Sequence, residues 1–382
     1  MSASNAIAGR SPALAWAVHL SVVLLVVLWT IPTAGLLISS FRDRDQISTS
    51  GWWTALAPAE RNLVARSKAP DAARQEGGEW IIEGNVFDEE EGAGTVTAFG
   101  VSSRSPTAFA PGDVAERGDA RITVQADGQY RIASEQQPEG RRGTRLFVTS
   151  KEPPRWTVEN YRTVLFSEGI GRSFLNTMTV TIPATVIPIL IAAFAAYALA
   201  WMEFPGRALL LAVVVGLLVV PLQMTLIPLL RLHNSIGIGK AYLGIWMAHT
   251  AFGLPLAIYL LRNYIAGLPR EIIESARVDG ATDFQIFLRI VLPLSYPALA
   301  SFAIFQFLWV WNDLLVATVF LGNNEDQLVM TGRLRELLGS KGGEWEILAA
   351  SAFVSIAVPI AVFFAMQKYL VRGLLAGSVK GG

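Results

Sequence analysis

Residues 174–201, FLNTMTVTIPATVIPILIAAFAAYALAW, hold no Asp, Glu, Lys or Arg from end to end. A helix rises about 1.5 Å per residue, and a bilayer's hydrocarbon core of about 30 Å needs about 20 mostly apolar residues. The run therefore reads as a membrane span. Its prolines, Pro183 and Pro188, do not argue against this, because neighbouring helices and water can re-satisfy the backbone groups that proline frees. Working outward, a similar run precedes it at residues 13–39, and others follow at 208–230, 243–261, 294–321 and 347–370. That makes six spans, with Pro221, Pro228, Pro255 and Pro359 inside the later ones. The chain's bulk agrees: 52% of its residues are hydrophobic, 16% are charged and its mean hydropathy is +0.42. A soluble domain carries about a quarter charged residues.

The first run also admits a signal-peptide reading. It is too long for one, and no small-residue cleavage site stands out, which favours a retained anchor. Residues 41–172 have a different composition, with charges as dense as Asp88, Glu89, Glu90 and Glu91 in succession. Up to Gly78 this insert is rich in Ala, Arg and Pro and reads as helical or irregular. Beyond it, short alternating runs at 80–82, 95–99, 121–124, 130–132 and 146–148 predict strands, and Asp127-Gly128 predicts a tight hairpin turn. The insert is expected to be a small β-rich domain. Trp52 and Trp53, just past the first span, suit an interfacial anchor.

The short loops set the orientation, because long segments translocate regardless of charge. With the amino terminus inside, the inner set is Arg10, Arg207, Arg262, Arg270, Arg277, Arg289, Lys368, Arg372 and Lys380. The outer set is Arg231, Lys240, Arg333, Arg335 and Lys341. Nine against five favours both termini inside and the insert on the outer face. The expected organisation is thus 1–40 for the amino terminus and first span, 41–172 for the insert, 173–370 for spans two to six, and 371–382 for an inner tail.

Between spans four and five runs an inner loop, residues 262–293, ending in GLPREIIESARVDGATDFQIFLRIVLP from Gly267 to Pro293. It predicts two short helices. Pro269 suits a first turn, and Glu271 and Glu274 favour a helix's positive end. Gly280 suits a left-handed stop, and Thr282 with Gln285 three residues on forms a capping box. Ile272, Ile273 and Ala276 share one side, while Arg277 and Asp279 point elsewhere. By itself this describes either a surface helix presented to a partner or an ordinary amphipathic connector.

Glu274-Ser275-Ala276, Gly280 six residues after the glutamate, and Ile290-Val291-Leu292-Pro293 together resemble the coupling loop of ABC importer permeases. Serine replaces the first of two alanines, small for small. The resemblance implies that Glu274, Ser275, Ala276, Asp279, Gly280, Ile290 and Pro293 dock into a nucleotide-binding subunit. A carboxylate can pair with a partner arginine there. Trp309-Val310-Trp311-Asn312-Asp313 is similar to the signature of sugar-importing permeases, and residues 372–381, RGLLAGSVKG, to the tail of the smaller permease in maltose-type transporters. In that family the tail enters the interface between two ATPases, so Gly373, Gly377 and Lys380 are expected there. The similarity covers residues 11–40 and 156–382 and fails over the insert; a long insert resembles α-glucoside-type systems. The implied fold is an all-α six-span permease carrying a β-rich extracytoplasmic insert. The implied partners are a second permease, two ATP-binding subunits, an extracytoplasmic solute-binding protein, a sugar and membrane lipid.

Gln223, Gln306, Asn312 and Asp313 are costly residues inside spans and so candidates for lining a pathway. Amides suit a neutral, hydroxyl-rich solute. Glue between helices, or capping for Asn312 and Asp313, is the alternative. His249 and His19 lack the converging ligands a metal needs and read as hydrogen-bonded packing residues; no metal or cofactor is expected. Gly237-Ile238-Gly239-Lys240 is not a phosphate loop, for it lacks the first glycine at the right spacing and the Ser or Thr that should follow. No nucleophile–base constellation is visible either. ATP hydrolysis therefore falls to partner subunits, and the chain is not expected to be an enzyme. Equal numbers of basic and acidic residues, 31 each, argue against nucleic acid. The absence of cysteine excludes disulfides and thiolate metal sites. An ion-coupled secondary transporter is the rival reading, although Asp313 is the one acid well inside a span and no inverted repeat is evident. A membrane-anchored enzyme using the outer domain ranks below both.

Overall fold

A computed structural model of the chain describes residues 12–87 and 94–376. These fall into two compact units, Met1–Asn160 with Glu344–Ala349, and Tyr161–Gly343 with Ala350–Gly382.

The first unit opens with the long helix α1 (Pro12–Ser40) and the short α2 (Arg44–Thr49). Eight strands follow: β1 (Ala59–Arg66), β2 (Arg74–Glu76), β3 (Glu79–Asn85), β4 (Thr95–Gly100), β5 (Val114–Arg117), β6 (Ala120–Val124), β7 (Gln129–Ser134) and β8 (Arg145–Glu152). They form two antiparallel sheets, ordered β1-β8-β4 and β2-β3-β7-β6-β5. Alternation drives this: Tyr130 and Ile132 of β7 and Leu146 and Val148 of β8 turn inward, joining Phe99, Ile122 and Val124 in one core fed by both sheets. The turn at Asp127-Gly128 forms as expected, with Gly128 at φ 85°. The stretch before Gly78 is helical over α2 and two short 3-10 turns, but it also supplies β1 and β2. β1 has few apolar residues of its own and is held by a partner distant in sequence, Leu63 opposite Val148.

The insert's entry and exit are clasped. Gln46 donates to the Pro153 carbonyl and accepts from the Arg155 N–H, and Asn160 donates to the carbonyls of Ser40 and Arg42. Arg42 is 3% exposed and closes the end of α2 through the Gln46 and Ser50 carbonyls. Phe99, fully buried against Phe109 at 5.5 Å between ring centroids, anchors the domain. Phe99→Ala is expected to destabilise it by about 3–5 kcal/mol, read as faster proteolytic cleavage within residues 59–152 of the full-length protein.

After α3 (Glu159–Phe166), the second unit contains α4 (Ile170–Trp201), α5 (Arg207–Leu217), α6 (Leu222–Ser235), α7 (Tyr242–Ala266) and α8 (Arg270–Val278). It continues with α9 (Asp283–Ile286), a π-helical turn at Phe287–Val291, α10 (Leu292–Leu294), α11 (Tyr296–Trp311), α12 (Leu315–Phe320), α13 (Met330–Ser340) and α14 (Trp345–Ala376), whose first residues belong to the first unit. Among the described residues four helices, α1, α4, α7 and α14, are long and apolar enough to cross a membrane, and the number reaches six if each of two bent pairs is one span. The run at 208–230 is such a pair, α5 and α6 meeting at 107°. Pro221, the residue just before α6, has no backbone N–H and disfavours the helical conformation at Val220, so the chain turns there. The run at 294–321 is also interrupted. Asp283–Leu294 meets α11 at 70°, and α11 stops at Trp311 before α12 starts at Leu315.

The prolines within α4 and α14 decide some of the helix packing. A proline at position i+4 withholds the N–H that would pair with carbonyl i. Pro183, Pro188 and Pro359 thereby free the carbonyls of Thr179, Ala184 and Ser355. Each is met by a side chain from another helix: Trp246 Nε1 donates to Thr179 at 2.9 Å, Gln306 Nε2 to Ala184 at 3.1 Å, and Trp311 Nε1 to Ser355 at 3.0 Å. The places where proline breaks the ladder are thus the places where neighbouring helices are fastened.

Candidate functional site

The loop between α7 and α11 folds as its local chemistry dictates. Pro269 is the residue just before α8, not its first turn, and Glu271 sits in the positive end. The helix closes on Gly280, at φ 81°. Gly280 N–H pairs with the Arg277 carbonyl and Ala281 N–H with the Ala276 carbonyl, both at 3.0 Å. That pattern requires a left-handed residue, which glycine supplies without a Cβ penalty. Thr282 and Gln285 form the reciprocal capping box of α9. Downstream, Pro293 can neither donate to the Arg289 carbonyl nor sit over it in an ideal helix. The backbone widens to a π turn, with the Leu292 N–H reaching back to Phe287.

Burial divides the loop in two. Ile273, Ile286, Phe287 and Val291 are buried and pack with Tyr197, Leu199, Leu261 and Ile265. Ala276 and Ile290 are half-buried against the same cluster. Glu274, Ser275, Asp279 and Gly280 are all exposed, as is Pro293 beyond the π turn. Glu274 makes no polar contact among the described residues, and a Cβ built on Gly280 meets nothing within 4 Å. Ile272 does not share the buried side with Ile273 and is 43% exposed. The exposed face also presents two apolar side chains that the motif did not single out, Val278 at 87% and Phe284 at 61%. The loop thus exposes an acid, small residues and two apolar side chains on one side while its other side is buried in the bundle.

The other candidates separate. Gln306 is 2% exposed and fastens α11 to α4, so its geometry is that of helix glue and not of a pathway lining. Asn312 terminates α11 through a bond to the Leu308 carbonyl. Asp313 accepts from the Ala317 N–H at 3.0 Å, capping α12, while its own carbonyl accepts from Thr331. Gln223 is exposed on α6. His249 packs edge-on against Trp309, with Nε2 3.9 Å from Asp313 Oδ2, but neither ring nitrogen is hydrogen-bonded among the described residues. His19 lies exposed on α1. Among the described residues both histidines thus lack the hydrogen bonds expected of them. Gly373 falls within α14, whereas Gly377 and Lys380 lie outside the described residues.

Long apolar helices, with a β-rich insert after the first of them and a short exposed helix between later ones, define a helical membrane protein. Residues 173–375 match the family described as binding-protein-dependent transport system inner membrane component. The chain belongs to that family and is a permease subunit of an ABC importer, a non-catalytic, multi-pass inner-membrane component. It is 68% identical to the alpha-glucoside transport system permease protein AglG of Rhizobium meliloti (strain 1021), over 98% of this chain and 99% of that one. It is 42% identical to the osmoprotective compounds uptake permease protein GgtD of Synechocystis sp. (strain ATCC 27184 / PCC 6803 / Kazusa), over 95% and 91%. Among solved structures, a chain of a bacterial ABC transporter involved in import of the acidic polysaccharide alginate is 25% identical, with a TM-score of 0.47, over 57% of this chain and 81% of that one.

Proposed function

We propose that this permease forms half of the translocation pathway for a sugar, an α-glucoside. The supporting observation is the identity to AglG over 98% of the chain, which takes in the insert as well as the helices. In this reading the chain pairs with a second permease, two ATP-binding subunits and an extracytoplasmic solute-binding protein. Both termini are cytoplasmic and the insert is outside, in keeping with the charge of the short loops. Residues 274–280 dock on an ATPase subunit and pass its closure to the helices. The second relative favours one alternative cargo, an osmoprotective compound.

The test is uptake by a strain lacking the chain, restored with a plasmid copy and supplied with labelled α-glucosides or compatible solutes. Restored uptake of an α-glucoside, competed by unlabelled α-glucosides alone, supports the reading. Restoration confined to an osmoprotectant overturns it. The tail carries a separate expectation: deleting residues 373–382 is to lower solute-stimulated ATP hydrolysis several-fold while membrane insertion stays unchanged. Unaltered transport after that deletion leaves the tail without a coupling role.

A further inference from the structure

The coupling helix α8 has few attachments of its own. One residue, Ile273, is fully buried, and the link to α9 is a turn of exposed or half-buried residues around Gly280. Three side chains from three elements nevertheless converge behind it. Asp283, the first residue of α9, accepts from the Tyr197 hydroxyl at 3.0 Å through Oδ1. The same oxygen lies 3.4 Å from Arg277 Nη2, in the last turn of α8. That nitrogen also donates at 3.2 Å to the carbonyl of Trp201, the last residue of α4. Tyr197, 4% exposed, is fixed by packing on Phe287 at 5.5 Å. The charges suit their places: an acid at the start of α9, and a cation at the ends of α8 and α4, each favoured by the local helix dipole. Arg207 reinforces the α4 terminus from the other side, donating to the Ala200 and Met202 carbonyls.

We infer that Asp283, with Tyr197 and Arg277, is a latch that makes the coupling loop and the C-terminal end of α4 one mechanical piece. Packing of Ile273 and Ala276 alone would hold α8 against the bundle yet leave it free to rotate about that contact. A directional polar link at its C-terminal end removes that freedom. Movement imposed on α8 by a partner is then delivered to α4, the longest helix of the second unit's opening half, and not dissipated in the loop. The three are positioning residues: Tyr197 is buried, and Arg277 and Asp283, although half exposed, spend their polar groups on Trp201, on Tyr197 and on each other. The inference rests on the coupling reading of residues 274–280, and its test keeps the two apart.

The experiment uses the complete transporter in vesicles with its binding protein and solute, measuring ATPase retention, ATP hydrolysis and solute taken up per ATP. Tyr197→Phe and Asp283→Ala are expected to keep the ATPase subunits and basal hydrolysis. Uptake per ATP should fall about tenfold, the factor that loss of one hydrogen bond of ordinary strength gives. Asp283→Asn, which retains an acceptor for the tyrosine hydroxyl, should stay close to the parent ratio. The chain contains no cysteine, so Tyr197→Cys with Asp283→Cys can be joined by a bifunctional methanethiosulfonate, and joining should restore the ratio lost in the unlinked pair. A parent ratio in both Tyr197→Phe and Asp283→Ala overturns the latch, as does arrest of transport on cross-linking, which would mean that the loop must slide on α4. Loss of ATPase retention in Tyr197→Phe also overturns it, because the residue would then only support the fold. Should Asp283→Ala not assemble, Tyr197→Phe decides, since it removes one hydroxyl. Failure of the underlying coupling reading shows separately, as normal uptake and ATPase retention in Gly280→Asp.

Discussion

Gly280→Asp is expected to yield a permease that folds, inserts and takes up almost no solute, and Glu274→Lys to do the same. The glycine's backbone, at φ 81°, charges a side chain a strain of about 1 kcal/mol. Among the described residues nothing else opposes it, because no atom beyond its own chain neighbours lies within 4 Å of the new Cβ. Against a total stability of about 5–15 kcal/mol such a cost is bearable. The damage therefore falls on docking, where an added carboxylate must be desolvated or clash in a close-fitting groove. Glu274 makes no polar contact among the described residues, so reversing its charge leaves the fold alone and removes whatever pair it forms with a partner cation. Loss of about 1.4 kcal/mol of docking free energy already weakens association tenfold, and a misplaced buried charge costs more. Purified permease pairs carrying either change should lose their ATPase subunits, while the solute-binding protein keeps its affinity. An ordinary connector would instead give near-normal uptake in both, and full ATPase retention with normal uptake removes the docking role.

The contrast between what was legible and what was not follows the reach of each signal. Apolar runs mark which segments can lie in lipid, because that depends on composition over about 20 residues. They say nothing of direction, so the 107° turn between α5 and α6 was invisible although Pro221 marked its place. The capping box and the left-handed Gly280 were readable because both are fixed within a few residues. β1 was not, since its strand character comes from pairing with β8, far along the chain. The exposed side of the loop was legible through Glu274 and Gly280, yet Val278 and Phe284 gave no signal. An exposed apolar residue carries no mark in sequence until the buried side of its helix is known. The latch of Tyr197, Asp283 and Arg277 joins residues from two separate segments, and no spacing rule connects them. Gln306 stayed open between pathway lining and helix glue for a related reason. A polar residue in a span signals that some partner is needed, but the partner is a carbonyl orphaned by Pro188 on another helix.

That carbonyl underlies the second large expected effect, at Gly253. A Cβ built there lies 2.6 Å from Gln306 Oε1, 2.8 Å from Nε2 and 2.9 Å from Cδ, all far inside van der Waals contact. An amide at the end of a flexible side chain would ordinarily swing aside. This one is 2% exposed and holds the Ala184 carbonyl, whose own helical donor is missing because residue 188 is proline. Gly253→Val therefore either overpacks the α4–α7–α11 junction or expels the amide and leaves a buried carbonyl unpaired. Each outcome costs about 1–3 kcal/mol, and a β-branched side chain incurs part of both. In lipid no water replaces the lost donor. The substitution is expected to lower the thermal aggregation midpoint of the detergent-purified complex and to reduce its yield. Gln306→Ala alone should destabilise less, through the unpaired carbonyl. In the double variant the overlap is gone, so Gly253→Val added to Gln306→Ala should cost little further. The two changes share one contact and should be coupled by about 1–3 kcal/mol. Simple additivity of their midpoint shifts, or a neutral Gly253→Val, would mean that Gln306 can leave its carbonyl freely and does not fasten these helices.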